Sequence, residues 1–165
     1  MTKPSYPDVR RKDRQISEHE AWEVLKNGQY GVLSTVGEDG LPYGVPLSYV
    51  VRDGKLYFHC AVEGRKLRNI KANSQITFTV VAEHRPVLQK GHFSATFKSA
   101  MVLGNAVLLT DPAARRKAFF DLIEGLVPEH LDKAAAYIEQ LENITAAVEI
   151  IPELVTGKAR PDQFD

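Results

Sequence analysis

The sequence predicts a mainly β domain with flanking helices (α+β), in which about six antiparallel strands close into a small barrel. Three observations predict it. The turns Gly37-Glu38-Asp39-Gly40 and Arg52-Asp53-Gly54 separate three consecutive alternating segments, which makes an antiparallel meander. A long β-forming stretch at 92–110 follows, with further alternating segments at 76–82 and 145–151. Strands of this number and length tend to close on themselves, because closure removes exposed edges.

The elements follow in order. Residues 1–15 are polar and basic, with Arg10, Arg11, Lys12 and Arg14, and read as an extended arm that is either solvated or wrapped on a partner subunit. Ser17-Glu18-His19-Glu20 is a capping box, and Ile16 stands where it can staple onto Ala21. The helix it opens is anchored by Trp22 and Leu25 and stops at Asn27-Gly28. Residues 30–36, 42–51 and 55–61 are the meander. Pro46 cannot donate to a ladder, so it marks an edge or a bulge, and Ser48 and Val50 share its face. Leu67 and Ile70 give residues 65–72 helical spacing. A strand at 76–82 leads into a polar loop at 83–90. The 92–110 strand bends at Gly104-Asn105. Asp111-Pro112 caps and opens a helix with the stripe Phe119, Leu122, Ile123 and Leu126. Pro128 opens another, with Leu131, Ala134, Ala135, Ile138 and Leu141 in phase. Residues 145–151 form the last strand. The organisation expected is an arm at 1–15, one domain at 16–152 and a tail at 153–165.

Composition narrows the function. In 165 residues, 21 Lys and Arg balance 21 Asp and Glu, so no net charge draws the chain to nucleic acid or an anionic membrane. Neither a membrane-length apolar run nor an apolar leader is seen, and the single cysteine, Cys60, has no internal disulfide partner. A cytoplasmic protein is the expectation. No zinc-type spacing, nucleophile elbow or dinucleotide glycine fingerprint is present, so no metal site is expected.

The chemistry concentrates where the third strand becomes a helix, at 54–74. Leu56, Phe58 and Cys60 alternate with Lys55, Tyr57 and His59, and Gly64-Arg65-Lys66 forms the turn. The first amides of a helix lack internal partners and carry partial positive charge. Two cations there are unfavourable unless an anion joins them. Glu63 can be that anion, or a phosphate gripped by Arg65 and Lys66; a plain solvated face is the third reading.

With these residues in place, the chain resembles the pyridoxamine 5'-phosphate oxidase-like split-barrel flavoproteins. Within them it resembles the nitroimidazole-resistance (Nim-like) branch. The resemblance rests on Gly44-Val45-Pro46-Leu47-Ser48-Tyr49, on the strand and turn ending in Glu63-Gly64-Arg65-Lys66, on residues 11–14 and 97–104, and on Thr156-Gly157-Lys158-Ala159-Arg160, all in collinear order across about residues 10–160. It implies an FMN-binding, six-stranded split barrel working as a homodimer, with flavin at the subunit interface and a small-molecule substrate. It assigns Arg65 and Lys66 to the flavin phosphate, His59 and Cys60 to the strand approaching it, and Pro46, Leu47 and Ser48 to the segment along the ring. Phe97 and Ser99 fall near the flavin, contributed by the other subunit. Gly64 stands where the vitamin-B6 oxidase has Ser, and that enzyme's C-terminal Arg-Leu segment is not seen, so oxidation of pyridoxamine phosphate is not implied.

Two functions therefore follow from the sequence. The first is an FMN-dependent oxidoreductase, acting on nitro-aromatic or related small molecules, with His59 as the catalytic candidate. The second is a non-catalytic module that binds flavin, haem or deazaflavin as a carrier or sensor. His59 is otherwise a satisfied histidine, and Cys60 a buried inert thiol. A nucleic-acid-binding barrel is disfavoured by the charge balance.

Overall fold

One strand of the meander serves two edges of the same sheet, and that sets the architecture. The computed structural model describes residues 9–89 and 91–161. Its elements are β1 (Gln15–Ile16), α1 (Glu18–Asn27), β2 (Gly31–Val36), β3 (Pro42–Leu47), β4 (Val50–Arg52), β5 (Lys55–Ala61), α2 (Arg65–Ala72), β6 (Gln75–Gln89), β7 (His92–Leu108), α3 (Pro112–Leu126), α4 (Ala134–Leu141) and β8 (Thr145–Arg160). Short 3-10 turns at Lys12–Arg14 and Pro128–Lys133 complete them. All strand pairings are antiparallel, in the order β3-β2-β6-β7-β8-β5-β4, with β1 beside β8. The two ends of this path, β3 and β4, are joined by Ser48 and Tyr49 alone. The sheet therefore curls until its edges nearly meet, and the barrel is split at those two residues. The expected mainly β fold with flanking helices is what forms.

The expected second strand, 42–51, is thus two strands, and the face assignment along it fails. Tyr49 and Val50 are both buried while Ser48 is exposed, so alternation stops at the break. The Tyr49 hydroxyl donates to the carbonyl of Leu25, tying the break to α1. Pro46 lies on β3, which has β2 as its only ladder neighbour, an edge position that tolerates a missing N–H.

The capping box on α1 is present: Ser17 accepts from the Glu20 amide, and Glu20 accepts from the Ser17 amide at 2.8 Å. Ala21, Val24 and Leu25 anchor α1 in the core with Leu33, Phe78 and Val80, while Trp22 lies at its margin. Gly28 ends the helix with φ −73, outside the left-handed region. Its lack of a side chain matters for space, since a Cβ there would lie 2.4 Å from Val80 Cγ1.

Two segments expected to be irregular are strand. Residues 83–89 pair with 92–98, extending β6 and β7 into a long hairpin past a bulge between Val81 and Glu83. Pro86 is tolerated because β2 pairs with β6 only over Thr77–Thr79, which leaves the distal part of β6 an edge. Residues 152–160, expected as tail, continue β8 along β7. Gly104 allows the expected irregularity opposite Pro152; a Cβ there would lie 2.2 Å from the Ile151 carbonyl. Of the expected arm at 1–15, the described part includes buried Val9 and Gln15, which pairs with β8, and residues 1–8 lie outside those described.

One core fills the barrel around Phe58, Phe78, Leu33 and Val102. A second lies where α3 and α4 cover β4, β5 and β8, through Phe119, Leu122, Ile138, Val50 and Ala147. No helix among the described residues is long and apolar enough to cross a membrane.

Candidate functional site

The turn from β5 into α2 is built on a backbone that only glycine adopts readily. Gly64, the N-cap of α2, has φ +126 and ψ 170, and no side chain caps the helix. Where the vitamin-B6 oxidase carries Ser, this chain has the residue its own geometry demands. Arg65 and Lys66 follow at once, both partly buried, but they point to different neighbours.

Arg65 reaches the β2–β3 turn. Its guanidinium is 3.1 Å from Asp39 Oδ2 and stacks 5.5 Å from the Tyr43 ring centroid. The anion that meets Arg65 is therefore Asp39 and not Glu63, which is exposed. The pair is open to water, with side chains 38% and 52% exposed, so it contributes at most about 1 kcal/mol. A phosphate accepting two charge-assisted hydrogen bonds competes well against it.

Lys66 has no such partner. Its Nζ lies 5.5 Å from the centroid of buried Phe58, and among the described residues it makes no ion pair or hydrogen bond. It acts electrostatically on the two β5 residues expected at the site. His59 has its pKa lowered, first by desolvation and then by the Lys66 charge. The residue shows solvent on one side, yet the protein around the ring disfavours its charged form. Cys60 is partly buried; burial raises its pKa and Lys66 opposes that rise. The thiol is therefore held protonated at neutral pH, which suits an inert role better than a nucleophile.

Ser48 and His59 meet a different feature. Both line an open cleft of about 1480 Å³ between α1, the strand break and the helices α3 and α4. Pro46 is exposed on β3, and Leu47 packs against the core beside it. Phe97 and Ser99 lie apart, on β7 opposite Arg160 and Lys158 of β8, and the Arg14 guanidinium stacks 5.9 Å from the Phe97 centroid. Among the described residues, no contact brings those two residues to Arg65 or Lys66.

The sequence model of the pyridoxamine 5'-phosphate oxidase family matches residues 17–159, most of the chain. The chain belongs to that family. Solved structures agree on the fold. A candidate 5-nitroimidazole antibiotic resistance protein from Bacteroides thetaiotaomicron superposes with a TM-score of 0.72 at 19% identity, covering 87% of this chain and 85% of that one. A flavocytochrome from Azotobacter vinelandii gives 0.78 at 20% identity, covering 93% and 72%. A FAD-binding protein from Mesorhizobium loti gives 0.62 at 25% identity, covering 90% and 98%. No curated protein matches this family member in sequence.

Asp39 and Tyr43 are site residues that sequence reasoning missed. Asp39 read only as turn chemistry, and nothing along the chain links position 39 to position 65. The cleft was missed too, because its walls come from segments far apart along the chain.

The lowered His59 pKa has a signed consequence. The unfolded chain takes up this proton more readily than the folded one, so stability rises with pH across that window. The contribution is fully present above the ordinary value of 6.5 and is lost as pH falls through the depressed folded value. In urea titrations of the flavin-free protein, wild type should lose more stability than His59→Gln between about pH 7 and 5. Parallel losses in the two proteins would contradict the assignment.

Proposed function

We propose that this family member is an FMN-dependent oxidoreductase whose flavin phosphate is held by Arg65 and Lys66 at the start of α2. The observation that carries this is Lys66: a partly buried lysine that forms no ion pair among the described residues, two residues past a helix N-cap that no side chain occupies. A dianionic phosphate fits there, because it meets the free amides and the cation at once. The relatives lend support, since a FAD-binding protein and a flavocytochrome share the fold.

The bound flavin supplies the electron chemistry. The chain's own residues bind and orient. Arg65 exchanges the weak Asp39 contact for the phosphate, and the Tyr43 ring beside it helps place its guanidinium. Pro46, Leu47 and Ser48 present the edge of the barrel to the ring. His59 stays neutral at pH 7 and offers a hydrogen bond to, or accepts a proton from, a small molecule beside it. The likeness to the candidate nitroimidazole resistance protein favours nitro-aromatic compounds as substrates.

A homodimer completes the site in this reading. The outer face of β6 and β7 is left bare, with Val81 57% and Met101 40% exposed. It continues along the hairpin, where Leu88 faces Phe93, Pro86 faces Ala95, and His84 faces Phe97. Phe93 is 94% exposed. A second copy on this face buries it and carries its own Phe97 and Ser99 toward the flavin of the first.

Two measurements test these points. Replacing Arg65 and Lys66 together with Ala should weaken FMN binding at least ten-fold, about 1.4 kcal/mol, in a fluorescence titration; unchanged affinity would refute the phosphate site. Sedimentation should give a dimer that Val81→Asp with Phe93→Asp converts to monomer. A wild-type monomer retaining full flavin affinity would remove Phe97 and Ser99 from the site.

A further inference from the structure

The start of α2 is tied to the barrel by a pair of polar side chains that the phosphate site does not itself use. Thr35 and Asn69 are buried, 3% and 5% exposed, where a barrel interior otherwise holds apolar groups. Thr35 shares the inward face of β2 with Gly31 and Leu33. Asn69 lies on α2 between Leu67 and Ile70, which both join the core. Asn69 donates from Nδ2 to Thr35 Oγ1 at 2.9 Å, and the Thr35 hydroxyl donates to the Tyr43 carbonyl at 3.3 Å. Gly37 leaves room for this closure, since a Cβ there would lie 3.0 Å from Asn69 Oδ1 and 2.6 Å from Asp39 Oδ1.

These hydrogen bonds lead to Arg65. Asn69 follows Arg65 by four residues, so the two side chains rise from one face of α2, about one turn apart. Tyr43, opposite Thr35 in the β2–β3 register, carries its ring 5.5 Å from the Arg65 guanidinium. Asp39, 3.1 Å from the same guanidinium, belongs to the turn that follows β2. The guanidinium and both its neighbours are thus referred to one anchor point. Leu67 and Ile70 hold α2 against the core, but apolar contact is non-directional and permits rotation and sliding. A hydrogen bond has a preferred length and angle, and it resists both. An apolar pair of the same shape can be as stable, so what the hydrogen bond adds is placement.

We propose that Thr35 and Asn69 are positioning residues for the phosphate site: their hydrogen bond sets the angle of α2 on β2 and so holds the Arg65 guanidinium where it can act together with Lys66. They work through Arg65 and not on the phosphate. The inference rests on the flavin-phosphate reading and deepens it, because it names the buried contact that makes a cation on a short helix selective. Recognition of a phosphate by Arg depends on two parallel hydrogen bonds, so a small rotation of α2 weakens the hold on the phosphate and spares the hold on the ring.

The test is Thr35→Val combined with Asn69→Leu in the full-length protein, which removes both partners and strands neither. FMN and riboflavin differ by the phosphate alone, so the ratio of their affinities isolates its contribution. In fluorescence titrations the double variant should lose at least about five-fold of the wild-type preference for FMN, with riboflavin affinity unchanged. Thr35→Ser, which keeps the hydroxyl, should retain the preference. Thr35→Val alone carries the same reading if melting curves show the double variant unfolded. A full preference in the folded variant, an equal fall in affinity for both flavins, or a loss in Thr35→Ser as large as that in Thr35→Val would overturn the proposal. Wild type keeps the two readings apart. No preference for FMN in wild type defeats the phosphate site and this inference with it, whereas a wild-type preference that survives in the variants defeats this inference alone.

Discussion

A lysine held partly out of water, with no ion pair among the described residues, is the constraint around which this site is arranged. Lys66 is carried by α2, α2 is launched by Gly64, and Gly64 follows closely on β5, the strand that carries His59 and Cys60. The Lys66 ammonium lies over the ring of buried Phe58. Its charge then acts on whatever lies near. It helps keep His59 neutral and partly offsets the desolvation of the Cys60 thiol. Arg65 differs only in having found Asp39, a contact weak enough to yield to a stronger acceptor.

The barrel makes this arrangement possible by splitting. Because β3 and β4 close opposite ends of one sheet, the two residues between them cannot join a ladder on both sides. Tyr49 turns inward and is tied to α1, while Ser48 is left facing the cleft. The same break therefore supplies the barrel's seam and the polar edge of a cavity. On the other side of the sheet, the long β6–β7 hairpin is amphipathic by register, and its apolar face is left exposed among the described residues.

Much of this was legible in the sequence where the signal is local. The capping box at Ser17, the Asp111-Pro112 helix start, the strand at 55–61 and the helix at 65–72 each depend on neighbours a few residues apart, and each forms as read. The Gly104 irregularity was visible for the same reason. What escaped depends on partners far along the chain. Residues 83–89 look like a loop until the first half of β7 offers them a ladder, and 152–160 look like a tail until the second half does. Alternation through 42–51 hides the break, because both halves are extended and only their partners differ. Site residues followed the same division. Arg65 and Lys66 were recognisable from the turn they share, whereas Asp39 and Tyr43 are neighbours only in three dimensions.

The most direct measurement compares FMN with riboflavin, which has the same ring and no phosphate, on wild type and on Lys66→Met. If the uncompensated ammonium is a phosphate site, wild type binds FMN at least about ten-fold more tightly than riboflavin, and the variant loses most of that preference. Equal affinity of wild type for the two compounds, or a preference for FMN that survives in Lys66→Met, would contradict the account.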